Sequence, residues 1–336
     1  MSKFRNFEKL LPGIKRNVLL KNYTTFKIGG KAQFFFVAKE KEELIKAIRV
    51  AKKFKLPFFI LGRGSNVLVA DEGYNGLVIK TQSAKRKAQS NNLKLKTIYA
   101  EAGTPLALVV SEATKKGLTG LEWAVGIPGT VGGAIWGNAG AFKNSMQNIV
   151  KKVEVLDSKT LKIKNFKNKD CKFSYRESIF KKNSNLIILS ATLQLKKGNK
   201  REIEKKIKEY LNYRKGKQPL NLPSAGSIFK NPPGFSAGEL GEEDKSSSLS
   251  TELPKEVKVR KRMKFSCDFA AARLIEECGL KGKRVGNVKI SEKHANFIVN
   301  LGGGKAKDVK KLIKIIKNKV KNKFGIILEE EIVILS

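Results

Sequence analysis

Residues 117–142 read G-L-T-G-L-E-W-A-V-G-I-P-G-T-V-G-G-A-I-W-G-N-A-G-A-F, and they decide how the rest of the chain is read. The stretch is dense in glycine, yet it holds both tryptophans of the chain, with Leu121, Val125, Ile127, Val131 and Ile135 set between the glycines. A flexible linker would be built of glycine and serine without large apolar residues. The mixture instead predicts a packed wall that is poor in side chains. Glycine lets a ligand approach the main chain closely and admits positive φ. Successive N–H groups in such turns form concavities that bind anions. A cofactor carrying a diphosphate is one guest for this wall; a tight turn in a β-rich core is the alternative that composition leaves open.

Around this wall the chain has 336 residues, 41% hydrophobic and 29% charged, which is enough for two or three domains with substantial cores. The N-terminal residues lack the apolar segment of a signal peptide, and no run approaches a membrane span, so a cytoplasmic location is expected. Three scattered cysteines (Cys171, Cys267, Cys278) and a single histidine, His294, argue against a disulfide framework, a zinc site and any multi-histidine metal centre. The expectation is no metal and an organic cofactor. The balance of 69 Lys and Arg against 30 Asp and Glu gives a net charge of +39, which ordinarily points to nucleic acid. Here the excess is spread along the chain, with Lys310, Lys311, Lys314, Lys317 and Lys321 on the outward face of one helical pattern, and no basic stretch is interleaved with aromatics. An anionic small substrate accounts for the charge better than a specific nucleic-acid partner.

Upstream of the wall, residues 22–37 predict one or two short strands turning at Gly29 and Gly30, and residues 39–55 a helix with Leu44, Ile48 and Ala51 on one face. A buried strand at 58–61 leads into G-R-G-S-N at 62–66, an apolar run at 67–69 and a strand at 76–80. Val67 breaks the G-x-G-x-x-G spacing and no helical pattern follows, so a Rossmann phosphate loop does not fit. What remains is a turn whose Gly62, Gly64, Ser65 and Asn66 offer N–H and hydroxyl donors, or a plain polar hairpin turn.

Residues 93–102 predict a strand, followed by a helix capped by Thr104, opened by Pro105 and closed at Gly117. Beyond the wall come a hairpin (150–156 and 161–164), a long strand at 186–195, and a helix at 200–214 running into a basic loop with Arg214, Lys215 and Lys217. Pro219 and Pro223 mark an extended connection and the main domain boundary. Residues 235–267 turn polar and charge-rich, which predicts a long exposed loop or a disordered excursion. A helix at 268–278, strands at 285–290 and 296–300, a glycine turn at 302–304, a helix at 307–323 and a final strand at 326–335 complete the pattern.

Three acids, Glu329, Glu330 and Glu331, interrupt the apolar run of that last strand. Carboxylates there are expensive unless they are solvated or functional. Alternation puts Glu329 and Glu331 on one face and Glu330 on the other, so either one face meets a polar cavity or the strand is an edge with solvated acids. Ser227 lies in a glycine turn close to Lys230 and Asn231, where a hydroxyl near cations can donate a proton or simply shape the turn. Arg176, in Y-R-E-S, can hold a carboxylate through a bidentate contact or form an ordinary salt bridge.

Taken in order, N-Y-T-T-F-K-I-G-G, L-G-R-G-S-N-V-L-V, G-L-E-W-A-V-G-I-P-G-T-V-G-G-A, Y-R-E-S, A-G-S-I-F-K-N-P-P-G, K-H-A-N-F-I-V-N and L-E-E-E-I resemble the UDP-N-acetylenolpyruvoylglucosamine reductases of peptidoglycan precursor synthesis, from about residue 22 to residue 333. The resemblance implies an α+β fold: an FAD-binding region of the vanillyl-alcohol-oxidase type in two subdomains, 1–80 and 81–218, followed by an α+β substrate domain at 219–336 that carries the polar insertion at 235–267. It implies FAD as cofactor, NADPH as co-substrate and a UDP-sugar as substrate; a monomer is expected, and the lack of a long apolar run predicts no membrane insertion. By the same resemblance Gly62, Gly64, Ser65 and Asn66, together with Gly126, Pro128, Gly129, Thr130, Gly132 and Gly133, hold the FAD diphosphate, and Arg214 contacts the cofactor. Arg176, Ser227 and Glu331 match the catalytic set: hydride reaches the vinyl carbon of the enolpyruvyl group, Arg176 and Glu331 stabilise the charge that develops, and Ser227 protonates the adjacent carbon. Lys217, Asn231 and His294 fall where the family contacts its nucleotide sugar. The chain departs from the family pattern at 235–267 and at Val333, where arginine is frequent. Direct passage from Y-R-E-S into the strand at 186–195 matches the shorter, second type of the enzyme. Two other readings stand beside this one: an FAD oxidoreductase of the same cofactor fold with a different substrate, and a basic nucleic-acid-binding protein.

Overall fold

Phe34, Phe35 and Phe36 in succession make Lys31–Ala38 a strand that is apolar on both faces, and such a strand needs a cover on each side. The computed structural model, which describes residues 2–83, 85–89, 95–233 and 270–336, supplies both covers. Phe34 and Phe36 pack against Leu44, Ala47 and Ile48 of the helix Lys41–Lys53. Phe35 and Ala32 face the other way, onto Leu61, Val69 and Leu335. The strand is second in a four-stranded sheet ordered Lys15–Leu19, Lys31–Ala38, Tyr74–Thr81, Phe58–Leu61, in which the first pair is antiparallel and the other two are parallel.

A second, antiparallel sheet is built around the strand Leu186–Lys197, flanked by Val150–Asp157 on one side and Leu95–Glu101 on the other. Lys162–Lys167 and Arg86–Gln89 form its edges, and Leu118–Thr119 pairs at one end of the central strand. Its core takes in the helix Leu106–Lys115, Trp123 and the short helix Val131–Trp136. The glycine-rich stretch is thus one wall of this core, as its interleaved apolar residues imply.

The third sheet, ordered Ser224–Ser227, Phe297–Asn300, Val288–Ile290, Arg284–Val285, shares a core with the helices Ala271–Glu277 and Ala306–Phe324. That core also contains Phe26, Ile28 and Leu68 from the N-terminal part of the chain. Val333–Leu335 pairs in parallel with Val67–Val69, and the Asn300 side chain donates to the carbonyls of Phe26 (3.0 Å) and Lys27 (3.3 Å). The Asp71 carboxylate accepts the N–H groups of Ala306 (2.8 Å) and Lys307 (3.0 Å), capping from a distant loop a helix whose own N-cap residue, Lys305, makes no side-chain cap. Replacing Asp71 by alanine should lower stability by about 1 kcal/mol, read as a lower denaturation midpoint, whereas asparagine, itself a good cap, should retain most of it.

Three local expectations change. The helix after residue 104 begins at Leu106, because Pro105 forms an isolated bridge with Thr130, and the Thr104 hydroxyl donates to the Lys85 carbonyl instead of capping. The strand expected over 285–290 is a tight hairpin that turns at Gly286 (φ +52°). Regular pairing of the last segment is confined to Val333–Leu335, with Glu330 held in an isolated bridge to Phe229. The expectation for 235–267 lies outside the described residues.

Candidate active site

The cavity has a volume of about 1650 Å³, more than a drug-sized ligand requires, and segments of all three sheets line it. The strand Phe58–Leu61 ends at Gly62, where the chain enters a turn that only glycine can make: Gly64 has φ +63°, and a Cβ there would lie 2.5 Å from the Tyr23 carbonyl. Lys80, from the neighbouring strand, donates to the Gly62 carbonyl at 3.1 Å and steadies the turn.

The glycine wall meets this turn directly. Thr130 is the N-cap of Val131–Trp136, and its hydroxyl accepts the Gly133 N–H at 3.3 Å. A Cβ on Gly62 would sit 2.7 Å from that same hydroxyl, and one on Gly132 would sit 2.8 Å from the Cβ of Ala102. The N–H groups of Val131 and Gly132 are engaged by the carbonyls of Thr104 and Ala102, both at 2.9 Å. Those of Gly129 and Thr130 have no acceptor among the described residues, so the donors available to a ligand are fewer than the glycine count suggests.

Gly126 (φ +73°) lets Arg214 pack close, 3.0 Å from where a Cβ would be. Arg214 is 8% exposed, and its Nε is buried without an acceptor among the described residues. Its guanidinium lies 5.6 Å from the centroid of the Phe142 ring, which stacks on Tyr210 at 3.9 Å. Burial first, and then the charge of Arg176, pushes Arg214 below the usual guanidinium range. A buried donor left unpaired is costly, and a polar or anionic guest in the cavity would relieve that cost.

Arg176 faces the same cavity from a turn closed by reciprocal Ser174–Glu177 backbone bonds of 3.1 Å, and it adopts φ +56°, a strained conformation for a residue with a side chain. Its Nη1 donates to the Gly140 carbonyl at 3.1 Å, while its Nε lies 2.9 Å from Glu331 Oε1. The three acids divide as alternation predicts: Glu331 turns to the cavity, Glu329 pairs with Lys230 (3.3 Å), and Glu330 turns to Lys317 (3.0 Å) on a helix. Ser227 lines the cavity opposite Phe297 in the ladder, beside Gly226 (φ +78°), where no atom of the described residues lies within 4 Å of an added Cβ.

The residues named from sequence thus gather around one space, with exceptions. Gly62, Gly64, Ser65, Asn66, Gly126, Pro128, Gly129, Thr130, Gly132, Gly133, Arg214, Arg176, Ser227, Asn231 and Glu331 all line it. Lys217 does not; it is the exposed last residue of the helix Lys200–Lys217. His294 does not line it either, standing behind Phe297 with ring centroids 4.7 Å apart; burial holds its imidazole below the usual range. Asn231 is partly committed, since its Oδ1 accepts the Ala271 N–H at 3.0 Å. Asn66 donates to the Glu331 carbonyl at 3.0 Å and so ties the first turn to the acid. Sequence reading missed Lys80, Lys181 and Phe142, which line the cavity as well. Their only signal was position, near a glycine turn or in Y-R-E-S-I-F-K.

Charge completes the description. Seven basic residues line the cavity (Lys27, Arg63, Lys80, Lys143, Arg176, Lys181 and Arg214) against one acid, Glu331, among the described residues. Cys171 is buried, and burial pushes its thiol up to about 12, so it is no nucleophile at neutral pH. No cluster of His, Cys, Asp and Glu among the described residues has the makings of a metal site.

A large basic cleft walled by glycine turns, with an arginine–glutamate pair and a serine among its lining, defines an FAD-binding oxidoreductase; residues 32–162 match the profile described as FAD binding domain. Residues 218–335 match the profile described as UDP-N-acetylenolpyruvoylglucosamine reductase, C-terminal domain. The chain is 41% identical over 319 residues to the UDP-N-acetylenolpyruvoylglucosamine reductase of Caldanaerobacter subterraneus subsp. tengcongensis, covering 95% of this chain and 92% of the relative. It is 42% identical over 330 residues to the enzyme of the same name from Caldicellulosiruptor saccharolyticus, covering 98% and 94%. The crystal structure of UDP-N-acetylenolpyruvylglucosamine reductase from Thermus caldophilus superposes with a TM-score of 0.72 at 35% identity, over 96% of this chain and 99% of that one. The chain belongs to the UDP-N-acetylenolpyruvoylglucosamine reductase family.

Proposed function

We infer that this protein reduces UDP-N-acetylglucosamine enolpyruvate to UDP-N-acetylmuramate with electrons from NADPH, as a step in building peptidoglycan precursors. The observation that carries the reading is the convergence of Arg176, Glu331 and Ser227 on the cavity walled by the two glycine turns. The residues present fit FAD: the Gly62–Thr130 contact leaves no room for side chains between the turns, and the buried Arg214 Nε is unpaired among the described residues. Residues 62–66 and 126–133 would hold the diphosphate, and Arg214 would contact the cofactor. When bound, FAD supplies the hydride that it takes from NADPH.

The chain's own residues supply the rest. Arg176, paired through Nε with Glu331 and bonded through Nη1 to the Gly140 carbonyl, can turn the rest of its guanidinium to the substrate carboxylate and to the negative charge that grows next to it as the double bond is reduced. Glu331 keeps that guanidinium at its place. Ser227 donates the proton to the carbon that bears the carboxylate. The basic lining draws in a substrate that carries a diphosphate and a carboxylate. Action as a monomer is part of the proposal. Among the described residues no helix is long and apolar enough to cross a membrane, and cytoplasmic work is part of the proposal.

The direct test is NADPH oxidation that depends on UDP-N-acetylglucosamine enolpyruvate, with mass spectrometry of the product. Oxidation independent of that sugar, or absent with it, sinks the reading. Because attraction into a basic cleft is screened, the bimolecular rate constant for the enolpyruvyl sugar should fall several-fold between roughly 0.02 and 0.2 M ionic strength. A rate that is flat across that range would show that the lining charges do not steer the substrate.

A further inference from the structure

We propose that Glu177 and Lys230 form a positioning clamp that sets Arg176, Ser227 and Glu331 relative to one another, an inference that rests on the reductase reading above. Lys230 Nζ lies 2.8 Å from Glu177 Oε1 and 3.3 Å from Glu329 Oε2. The same Glu177 oxygen lies 3.2 Å from Lys181 Nζ, and Lys181 also donates to the Arg176 carbonyl at 2.9 Å. Three segments far apart in sequence therefore meet on one pair of charges.

Each member of the clamp is a near neighbour of a residue assigned to the chemistry. Glu177 directly follows Arg176, Lys230 stands three residues after Ser227, and Glu329 two before Glu331. Neither Glu177 nor Lys230 lines the cavity, so the clamp acts through the residues it holds. The backbone already fastens two of the three segments: Lys230 N–H donates to the Glu329 carbonyl at 2.9 Å and Glu331 N–H to the Ile228 carbonyl at 2.7 Å. Among the described residues the Arg176 turn has no such ladder to them. Its side-chain ties are the Arg176–Glu331 pair and the Glu177–Lys230 pair, together with the Tyr175 hydroxyl, which accepts the Asn231 N–H at 3.2 Å. Without the Lys230 contact, a turn strained at φ +56° has less to keep Arg176 aimed at the substrate.

The clamp is about four-fifths shielded at Glu177 and Lys230, whereas Glu329 is 75% exposed, so the first contact dominates and the second is screened. Lys230 and Lys181 together hold the Glu177 carboxyl below its ordinary range against the opposing effect of burial, and Lys230 is held above its own. Both stay charged at neutral pH, as a fixed clamp requires.

The test separates the two half-reactions in the FAD-loaded enzyme by anaerobic stopped flow. Glu177→Gln and Lys230→Met should each slow reoxidation of the reduced flavin by UDP-N-acetylglucosamine enolpyruvate on the order of ten- to a hundred-fold, the cost of a misaimed group. Flavin reduction by NADPH should stay within about twofold, since that step does not use the Arg176–Ser227–Glu331 arrangement. The double variant should be no slower than the worse single one, Lys230→Arg should restore most of the rate, and Glu329→Gln should change it little. Equal loss in both half-reactions, loss of bound flavin, additive single effects, or unchanged reoxidation in Glu177→Gln would each overturn the clamp. If the wild-type enzyme itself fails to reoxidise with the sugar, it is the reductase reading that falls. Should Lys230→Met fail to fold, Glu177→Gln and Lys230→Arg decide the matter alone.

Discussion

Ser227→Ala is expected to leave a yellow protein that NADPH reduces at the normal rate and that the enolpyruvyl sugar reoxidises about 10²–10⁴-fold more slowly, the usual worth of a positioned proton donor. The expectation follows from place. Ser227 ends the strand Ser224–Ser227, is paired in register with Phe297, and stands next to open space at Gly226, on the cavity that Arg176 and Glu331 also line. Removing the hydroxyl leaves the strand pairing intact, because the ladder runs through the backbone. The flavin turns, on other elements, are untouched. Stopped-flow measurement of both half-reactions checks it; full-rate reoxidation in the variant would take the proton-donor role away from Ser227.

Gly62→Val is expected to have the second largest effect, on cofactor retention. Thr130 cannot swing away from an added side chain without giving up the Gly133 N–H that it caps, so the clash at 2.7 Å must push the two turns apart. Overpacking of this kind costs about 1–3 kcal/mol, which is roughly ten- to a hundred-fold in FAD affinity if it falls on the bound state. Flavin content after gel filtration and a titration of the apoprotein with FAD measure it. Retention equal to wild type would mean that the turn junction does not shape the cofactor site.

Much of this site was legible in the sequence because it depends on local rules. Gly64 needs a left-handed conformation, and a G-R-G-S-N turn after an apolar strand announces one. The alternation of Glu329, Glu330 and Glu331 set Glu330, which turns to Lys317, apart from the other two even though the regular strand is only three residues long, but it did not tell Glu331 in the cavity from the exposed Glu329. The helix Val131–Trp136 was hidden because its first turn is V-G-G, a composition that disfavours helix, and tertiary bonds from Ala102 and Thr104 override that preference. Lys217 could not be placed because the basic loop expected around it is the last turn of a helix, where it is exposed and does not line the cavity. The Glu177–Lys230 contact joins residues 53 positions apart in segments whose meeting no local pattern encodes.

The central claim is that this chain passes reducing equivalents from NADPH through bound FAD to an enolpyruvyl nucleotide sugar. Its most direct test is an anaerobic titration of the NADPH-reduced, gel-filtered protein with UDP-N-acetylglucosamine enolpyruvate, followed by visible absorbance. The oxidised flavin spectrum should return with one equivalent of sugar per flavin, and the product should be heavier than the substrate by two hydrogens. A protein that purifies without flavin, or a reduced flavin that the sugar leaves unchanged, would contradict it.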